Sequence, residues 1–204
     1  VHVLLGSTSS IEIFVNSTGE RRYGVWDPGS LAQYHLSKQD IRFFKKQDAV
    51  SVTVYPQFVH ILDELRSVTR SRRKKLLVSI NYGDLGEFGG NKSVVMEYLG
   101  VADMLVFGLD KDTDENLIND LQTLASQEKK IIIVTLGKFG SIAFVGETVF
   151  VQSASDVPVV DTTGAGDAFL AGFLVTYLQT KDVQQSLRSG TQLASKVVGL
   201  LGAY

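Results

Sequence analysis

The sequence predicts an α/β fold, a three-layer sandwich in which helices cover both faces of a mostly parallel sheet. Two observations carry this prediction: short apolar runs of strand length recur along the chain, and amphipathic helical stripes separate them. Such repeated strand–helix units favour a parallel sheet, because each helix returns the chain to the start of the next strand. The chain has 204 residues, enough for one good core. Residues 29–204 are predicted to form that core as a single domain.

Residues 1–28 are predicted to form a separate pair of strands. Ile11, Ile13 and Val15 alternate with other residue types in the period-two pattern of a half-buried strand. Residues 16–20 have the composition of a turn, and residues 21–26 return as the partner strand. A segment with proline and glycine at residues 27–30 then ends the pattern.

Helices and strands alternate after residue 30. Ser37 followed by Asp40 predicts the N-cap of a first helix. An apolar stripe at helical spacing predicts an amphipathic helix through Phe58, Ile61, Leu62, Leu65 and Val68. Two further helices are expected, a short one that ends near residue 99 and another across residues 117–124. Strands are predicted at residues 49–55, 76–80, 104–107 and 131–135.

The last third of the chain is predicted to contain a β-hairpin and two helices. The hairpin strands are residues 141–145 and 148–152, around a turn at Gly146 and Glu147. The helices are expected at about residues 164–178 and 183–201.

Composition and charge exclude several classes of function. The formal charge of −2, from 20 basic and 22 acidic residues, gives no global field for nucleic acid or for an anionic membrane. The basic cluster at residues 66–75 lacks interleaved aromatic residues, which disfavours a nucleic-acid site. No apolar run reaches the roughly 20 residues of a membrane span. The absence of cysteine excludes disulfides and thiolate metal sites and is typical of the reducing cytosol, so we expect a cytoplasmic protein.

A glycine-rich turn at residues 161–167 carries most of the chemical information. It reads Asp-Thr-Thr-Gly-Ala-Gly-Asp and opens a predicted helix, whose N-terminus has unpaired N–H groups and a partial positive charge. Gly164 and Gly166 allow backbone amides to approach an anion without a Cβ in the way. Asp167 has two interpretations at this point: it complements the helix dipole, or it lies beside a transferring phosphate.

Two known glycine-rich templates fail on this turn. A Walker A loop requires a lysine, which the turn lacks, and a dinucleotide fingerprint requires glycine or alanine where Phe169 stands. The second failure disfavours a dinucleotide-dependent oxidoreductase.

The turn resembles the signature of the ribokinase-type (pfkB) carbohydrate kinases, and the similarity runs through residues 161–174. Residues 134–141 resemble the nucleotide-side strand and turn of that family, and residues 190–203 resemble its last helix. Within the family, residues 29–37 and 190–203 resemble those of fructoselysine and fructosamine kinases. The resemblance implies a ribokinase-like fold in which the hairpin of residues 1–28 is a small β lid over the sugar.

The resemblance implies ATP-dependent phosphorylation of a hydroxyl on a sugar or sugar-amine compound. Asp167 is expected to take the proton from that hydroxyl as it attacks the γ-phosphate. The amides of Gly164, Ala165 and Gly166 are expected to form the anion hole for the transferring group. The other matching positions are expected to bind ATP: Asn81, which faces the phosphates, Thr135, Gly137 and Gly140 on the nucleotide side, and Gly190 and Thr191 near the base.

The sequence departs from the family pattern where magnesium is usually held. Family members carry an Asn-x-x-Glu segment after the strand at residues 104–107, whereas this chain has an acidic cluster at residues 110–115. The cluster either replaces that segment or caps the following helix, and capping is favoured because acidic residues are common in a first turn. Mg²⁺ is expected to arrive with ATP, and no protein ligand is assigned to it. A monovalent cation is left open as an additional cofactor.

The resemblance also implies that about the opening third of a family member, with most of the acceptor contacts, precedes the position of Val1. On that expectation the chain keeps the nucleotide half of the site, and an uncovered sheet edge favours a homodimer. The expected partners are ATP and a sugar-like small molecule, with no nucleic acid and no membrane. Two alternatives stay open: a nucleoside kinase of the same fold, and a nucleotide-binding module that has lost catalysis.

Overall fold

The computed structural model describes residues 5–15, 21–70, 76–83, 85 and 92–202. Within these residues the chain forms a two-stranded sheet and a six-stranded sheet. Helices pack on both faces of the larger sheet, which confirms the predicted three-layer α/β architecture. The predicted turn at residues 16–20 and most of the basic cluster, residues 71–75, lie outside the described residues.

The two-stranded sheet is the predicted hairpin. Strands β1 (Ser10–Val15) and β2 (Arg21–Asp27) pair antiparallel, with a register shift between Ile11 and Ile13. At the end of β2 the ring of Trp26 contacts that of Tyr55, with 4.6 Å between the ring centroids. Tyr55 lies just beyond the first strand of the larger sheet, so this aromatic contact joins the hairpin to the core.

The larger sheet follows the order of the chain. Its strands are β3 (Ala49–Thr53), β4 (Leu77–Asn81), β5 (Met104–Gly108), β6 (Ile131–Thr135), β7 (Ser141–Val145) and β8 (Thr148–Gln152). Neighbours from β3 to β6 are parallel, whereas β7 and β8 are antiparallel and form the predicted hairpin. Because parallel strands run in one direction, the C-terminal ends of β3 to β6 lie along the same edge, where open sheets bind ligands.

Within the described ranges six α-helices flank this sheet: α1 (Lys38–Phe44), α2 (His60–Arg70), α3 (Ser93–Tyr98), α4 (Glu115–Glu128), α5 (Ala165–Thr180) and α6 (Val183–Val197). Helices α1 to α4 contribute to the core on one face, and α5 and α6 to the core on the other. Among the described helices none combines the length and apolar character that crossing a bilayer requires.

Alternate residues of the central strands point into the two cores. In β5, Leu105 and Phe107 lie in the core beneath α2, α3 and α4, while Met104 and Val106 pack towards α5 and α6. All four side chains are buried, as expected for a strand covered on both faces.

The first helix begins with the predicted capping box. The Ser37 hydroxyl accepts hydrogen bonds from the N–H groups of Gln39 and Asp40, both at 3.2 Å. The Asp40 carboxylate in turn accepts from the Ser37 N–H at 2.8 Å, so two orphan donors are satisfied reciprocally.

Helix α6 ends earlier than the sequence predicts, at Val197 rather than near residue 201. The carbonyl of Val198 accepts hydrogen bonds from the N–H groups of Val160 and Asp161, at 2.8 and 3.1 Å. The N–H of Gly202, which would continue the helical pattern, donates to the Asp161 carboxylate at 2.9 Å. The Val198 carbonyl and the Gly202 N–H, which would bond to each other in a longer helix, thus bond to residues 160 and 161, and the helix ends before them.

Helices α5 and α6 approach each other through two glycines. A Cβ at Gly190 would lie 2.7 Å from the carbonyl oxygen of Phe169, and a Cβ at Gly172 would lie 2.9 Å from that of Ser189. Both distances are shorter than real Cβ contacts, so the helix backbones are in direct contact at these positions.

Gly190→Ala is expected to lower the free energy of unfolding by about 1–3 kcal/mol, because the added methyl group forces two packed backbones apart. Urea unfolding measures the change. Gly100→Ala is the matched control, since no atom lies within 4 Å of a Cβ at that position. The control is expected to stay within about 0.5 kcal/mol of the wild type. Equal stability of both variants would contradict the close helix contact.

Candidate active site

Two neighbouring cavities open beyond the C-terminal end of β6. The larger has a volume of about 700 Å³, and the smaller one of about 580 Å³. They share three lining residues, which all follow or end β6: Thr135, Gly137 and Lys138. The other walls of the larger cavity come from the segment after β8, from the start of α5 and from the second half of α6.

The turn after β6 forms one wall, and its shape requires glycine. Gly137 and Gly140 have positive φ angles of 54° and 95°. A Cβ at Gly140 would lie only 2.1 Å from the carbonyl oxygen of Gln152 at the end of β8. Both glycines, which the sequence assigned to ATP binding, line the larger cavity.

Thr135 lies at the centre of the two cavities. Its hydroxyl donates a hydrogen bond to the carbonyl of Phe107 at 3.3 Å, which ties the end of β6 to the end of β5. A Cβ at Gly108 would lie 3.6 Å from the Thr135 oxygen, so the small residue leaves room around the hydroxyl. Thr135 lines both cavities, and its predicted nucleotide role stays a prediction.

Asn81 lies at the end of β4, further along the same edge. Its side-chain oxygen accepts a hydrogen bond from the Gly83 N–H at 3.0 Å. The Gly83 carbonyl in turn accepts from the Gly108 N–H at 2.8 Å. Asn81 is not among the residues that line either cavity, and its carboxamide oxygen organises the turn beyond β4. Its predicted contact with phosphates stays a prediction.

The glycine-rich turn before α5 has a defined hydrogen-bonded shape. The Ala165 N–H donates to the carbonyl of Thr162 at 3.2 Å, which closes a four-residue turn. Gly164, at the third position, has φ 79° and ψ −3°, the values of a type II turn, which favours glycine there. Ala165 and Gly166 line the larger cavity, so the turn forms part of its wall.

The free N–H groups of this turn differ in part from those expected. The Ala165 N–H is occupied by Thr162, whereas those of Gly164, Gly166 and Asp167 donate to no acceptor within the described residues. The next N–H, of Ala168, donates to the Gly164 carbonyl at 2.9 Å. Sequence reasoning named Gly164, Ala165 and Gly166 and omitted the Asp167 amide, which the rule that a first helical turn leaves its N–H groups unpaired would have found.

Asp167 lies in the first turn of α5, with an exposed side chain. Across the described part of the chain its carboxylate forms no ion pair. It directly follows Gly166, which lines the larger cavity. The carboxylate is therefore neither buried nor neutralised, and it lies at the positive end of a helix beside a cavity.

A buried carboxylate that the sequence analysis did not single out holds this turn in place. Asp161 is only 5% exposed. One carboxylate oxygen accepts from the Thr163 N–H at 2.7 Å, and the other accepts from the Gly202 N–H at 2.9 Å. Asp161 thus connects the turn before α5 to the end of α6.

Helix α6 contributes a further wall of the larger cavity through Thr191, Ala194 and Ser195. Thr191 was predicted to lie near the base, and it lines the cavity. Gly190, predicted for the same place, lies instead against Phe169, whose ring is part of the cavity wall. Gly190 is not a lining residue, and its observed contact is with α5.

The acidic cluster at residues 110–115 borders the smaller cavity. The Asp110 carboxylate accepts from the N–H groups of Asp112 and Thr113, at 2.8 and 3.1 Å. These two hydrogen bonds, helped by the nearby charge of Lys138, lower the pKa of the Asp110 carboxyl below its usual value.

The cluster places an acidic residue, Glu115, in the first turn of α4, as the capping interpretation expects, but it supplies no side-chain capping hydrogen bond. Asp114 occupies the N-cap position, but its carboxylate accepts from the Asp110 N–H at 2.8 Å instead of from the helix. The acidic side chains therefore shape the loop. In the described ranges no three His, Asp or Glu residues are grouped to hold a metal ion.

Asp161→Asn is expected to lower the free energy of unfolding by about 1–3 kcal/mol. The amide keeps one acceptor oxygen but presents an NH₂ group to one of the two backbone donors, which then loses its partner. Urea unfolding at neutral pH measures the change, and Asp112→Asn, at an exposed carboxylate, is the control. A stability equal to that of the control would show that the carboxylate does not hold the two segments together.

Comparison with known proteins identifies the family to which the chain belongs. The family model for pfkB family carbohydrate kinases matches residues 8–204. The chain is 26% identical over 204 residues to fructoselysine 6-kinase from Escherichia coli (strain K12), a match that covers 100% of this chain and 74% of the relative. It is 27% identical over 175 residues to fructosamine kinase FrlD from Bacillus subtilis (strain 168), covering 83% of this chain and 56% of the relative.

The fold is shared with solved structures. Arabidopsis thaliana ribokinase, complexed with ribose and ATP, is similar with a TM-score of 0.76 at 23% identity, over 98% of this chain and 65% of that chain. This likeness confirms the predicted ribokinase-like fold, and the sequence matches confirm the predicted similarity to fructoselysine and fructosamine kinases. Since the family model matches nearly the whole chain, the chain belongs to the pfkB family of carbohydrate kinases.

Proposed function

We propose that this chain provides the ATP-binding and catalytic part of a kinase that phosphorylates a hydroxyl on a sugar or sugar-amine compound. One observation carries the proposal: a glycine-rich turn with N–H groups that are unpaired among the described residues forms a wall of the larger cavity, and the Asp167 carboxylate follows it. Family membership supports the same reaction class. In this proposal residues 1–28 are the lid over the acceptor, and residues 29–204 are the catalytic core.

The larger cavity has the features of a nucleotide site. Apolar side chains of Phe169, Val157 and Val198 line it, and a purine ring buries its faces against such groups. The hydroxyl of Thr191 lies on the same wall and offers a polar contact. With the base there, the phosphates extend towards Gly137 and the start of α5.

The proposed reaction uses the N-terminus of α5 for the transferring group. The N–H groups of Gly166 and Asp167 bind the γ-phosphate, whose charge the helix dipole also stabilises. The acceptor oxygen forms a bond to the γ-phosphorus as the bond to the β-phosphate oxygen breaks and ADP leaves. Asp167 receives the hydroxyl proton, a contribution of about 10²–10⁴-fold for a placed general base.

Magnesium, when bound with ATP, neutralises phosphate charge. The described residues do not present a preformed site for it: no three-ligand group is present, and the Asp110 and Asp114 carboxylates already accept backbone N–H groups. The proposal therefore places Mg²⁺ on phosphate oxygens and water, and assigns no protein ligand.

The proposal also covers the acceptor substrate, the cellular location and the oligomeric state. A sugar-amine acceptor is favoured by the matches to a fructoselysine 6-kinase and a fructosamine kinase. A cytoplasmic location agrees with ATP as the donor and with the absence of cysteine. A homodimer is proposed because the hairpin carries Phe14 and Val25, which are 58% and 88% exposed.

Asp167→Asn is expected to lower kcat of the complete protein by at least about 10²-fold while the Kd for ATP stays within about threefold, since the amide cannot accept the proton but leaves the backbone donors in place. Coupled ADP release measures kcat, and calorimetry measures Kd. Glu147→Gln, in the exposed turn between β7 and β8, is the control for a lost carboxylate. Turnover near the wild-type value in Asp167→Asn would remove Asp167 from the mechanism.

A panel of acceptors separates the proposed function from its alternatives. With ATP and Mg²⁺, fructoselysine is expected to stimulate ADP release by the complete protein more strongly than ribose or adenosine does. Stimulation by adenosine alone would favour a nucleoside kinase. ATP binding without stimulation by any acceptor would indicate a nucleotide-binding module that lacks catalysis.

A further inference from the structure

Lys138 occupies a distinctive position between the two cavities. It lies in the short 3₁₀ turn Gly137–Phe139 directly after β6, and it lines both the larger and the smaller cavity. Among the described residues that line the larger cavity it is the single cation, and Asp156 is the single anion. Of the three residues that line both cavities, Thr135, Gly137 and Lys138, only the last carries a charge.

The ammonium group of Lys138 contacts an aromatic ring but forms no ion pair within the described residues. Its Nζ atom lies 5.2 Å from the centroid of the Phe139 ring, within cation–π distance. Where the chain is described, no carboxylate oxygen lies within ion-pair distance of this Nζ. The side chain is exposed, so its charge is available to a bound ligand.

Lys111 provides an internal comparison. Its Nζ atom lies 5.0 Å from the same Phe139 ring, which is itself 42% exposed. Lys111 lines the smaller cavity but not the larger one. The two lysines thus share a charge and an aromatic neighbour, and they differ in which cavities they reach.

We infer that Lys138 binds the β- and γ-phosphates of the nucleotide and thereby selects triphosphates over nucleotides with fewer phosphates. The inference deepens the proposed function and rests on it. Gly166, whose N–H is unpaired within the described residues, lines the α5 side of the larger cavity and directly precedes Asp167, whereas Lys138 lies on the β6 side. A phosphate chain between them receives backbone donors from one wall and a full positive charge from the other, the arrangement that charge-assisted hydrogen bonds favour. Lys138 is a binding and positioning residue in this arrangement, since it exchanges no proton with the substrate.

The test compares Lys138→Gln with Lys111→Gln in the complete protein, with AMP, ADP and a non-hydrolysable ATP analogue as probes in calorimetry. Lys138→Gln is expected to weaken binding of the ATP analogue about tenfold, the loss of one hydrogen bond to a charged group. ADP binding is expected to weaken less, and AMP binding to change less than about twofold. Lys111→Gln is expected to change all three affinities less than about threefold, since Lys111 does not reach the larger cavity. The loss in Lys138→Gln is expected to shrink as salt rises, because salt screens an exposed charge.

Two results would overturn the inference while leaving the proposed function in place. One is wild-type affinity of Lys138→Gln for the ATP analogue. The other is an equal loss for AMP, ADP and the analogue, which would show that Lys138 shapes the cavity but contributes no phosphate contact. If the wild-type protein binds none of the three nucleotides, the proposed function fails together with the inference. Equal urea midpoints for the variants and the wild type exclude unfolding as the cause of any loss.

Discussion

The two hydrogen bonds of the Asp161 carboxylate are the constraint on which the rest of the site depends. A buried carboxylate is costly unless donors satisfy it, and here one donor precedes α5 and the other follows α6. Asp161 therefore links the turn before α5 to the segment that follows α6. The hydrogen bond from the Gly202 N–H to Asp161 also replaces a bond that would continue α6. A single side chain thus couples the glycine-rich turn before α5 to the end of α6, the helix that forms another wall of the cavity.

The close contact of α5 and α6 has a second consequence for the cavity. Because Gly172 and Gly190 let the backbones touch, Phe169 on α5 and Thr191 on α6 face the same space. The remaining wall comes from the antiparallel end of the sheet, where Gly140 packs against the end of β8. The cavity thus lies where the sheet changes from parallel to antiparallel pairing, and three glycines set its dimensions.

Features that depend on local sequence could be predicted, and those that depend on distant contacts could not. The stripe of α2 and the β7–β8 hairpin follow from periodicity and a two-residue turn, and both agree with the structure. The end of α6 was misplaced, because it depends on a hydrogen bond between residues 41 positions apart. The helix contact of Gly190 and the position of Lys138 between two cavities likewise require tertiary structure. Periodic patterns in the sequence carry no information about these contacts.

The contact of Trp26 with Tyr55 gives the molecule a built-in optical reporter. The chain contains one tryptophan, and its ring lies at the junction between the hairpin and the core, 4.6 Å from that of Tyr55. Tryptophan emission responds to the polarity around the indole, so the intrinsic fluorescence of this protein comes from a single, interpretable place. A movement of the hairpin away from β3 separates the two rings and exposes the indole to water. Motion of the hairpin is therefore observable without any label while ligands are added.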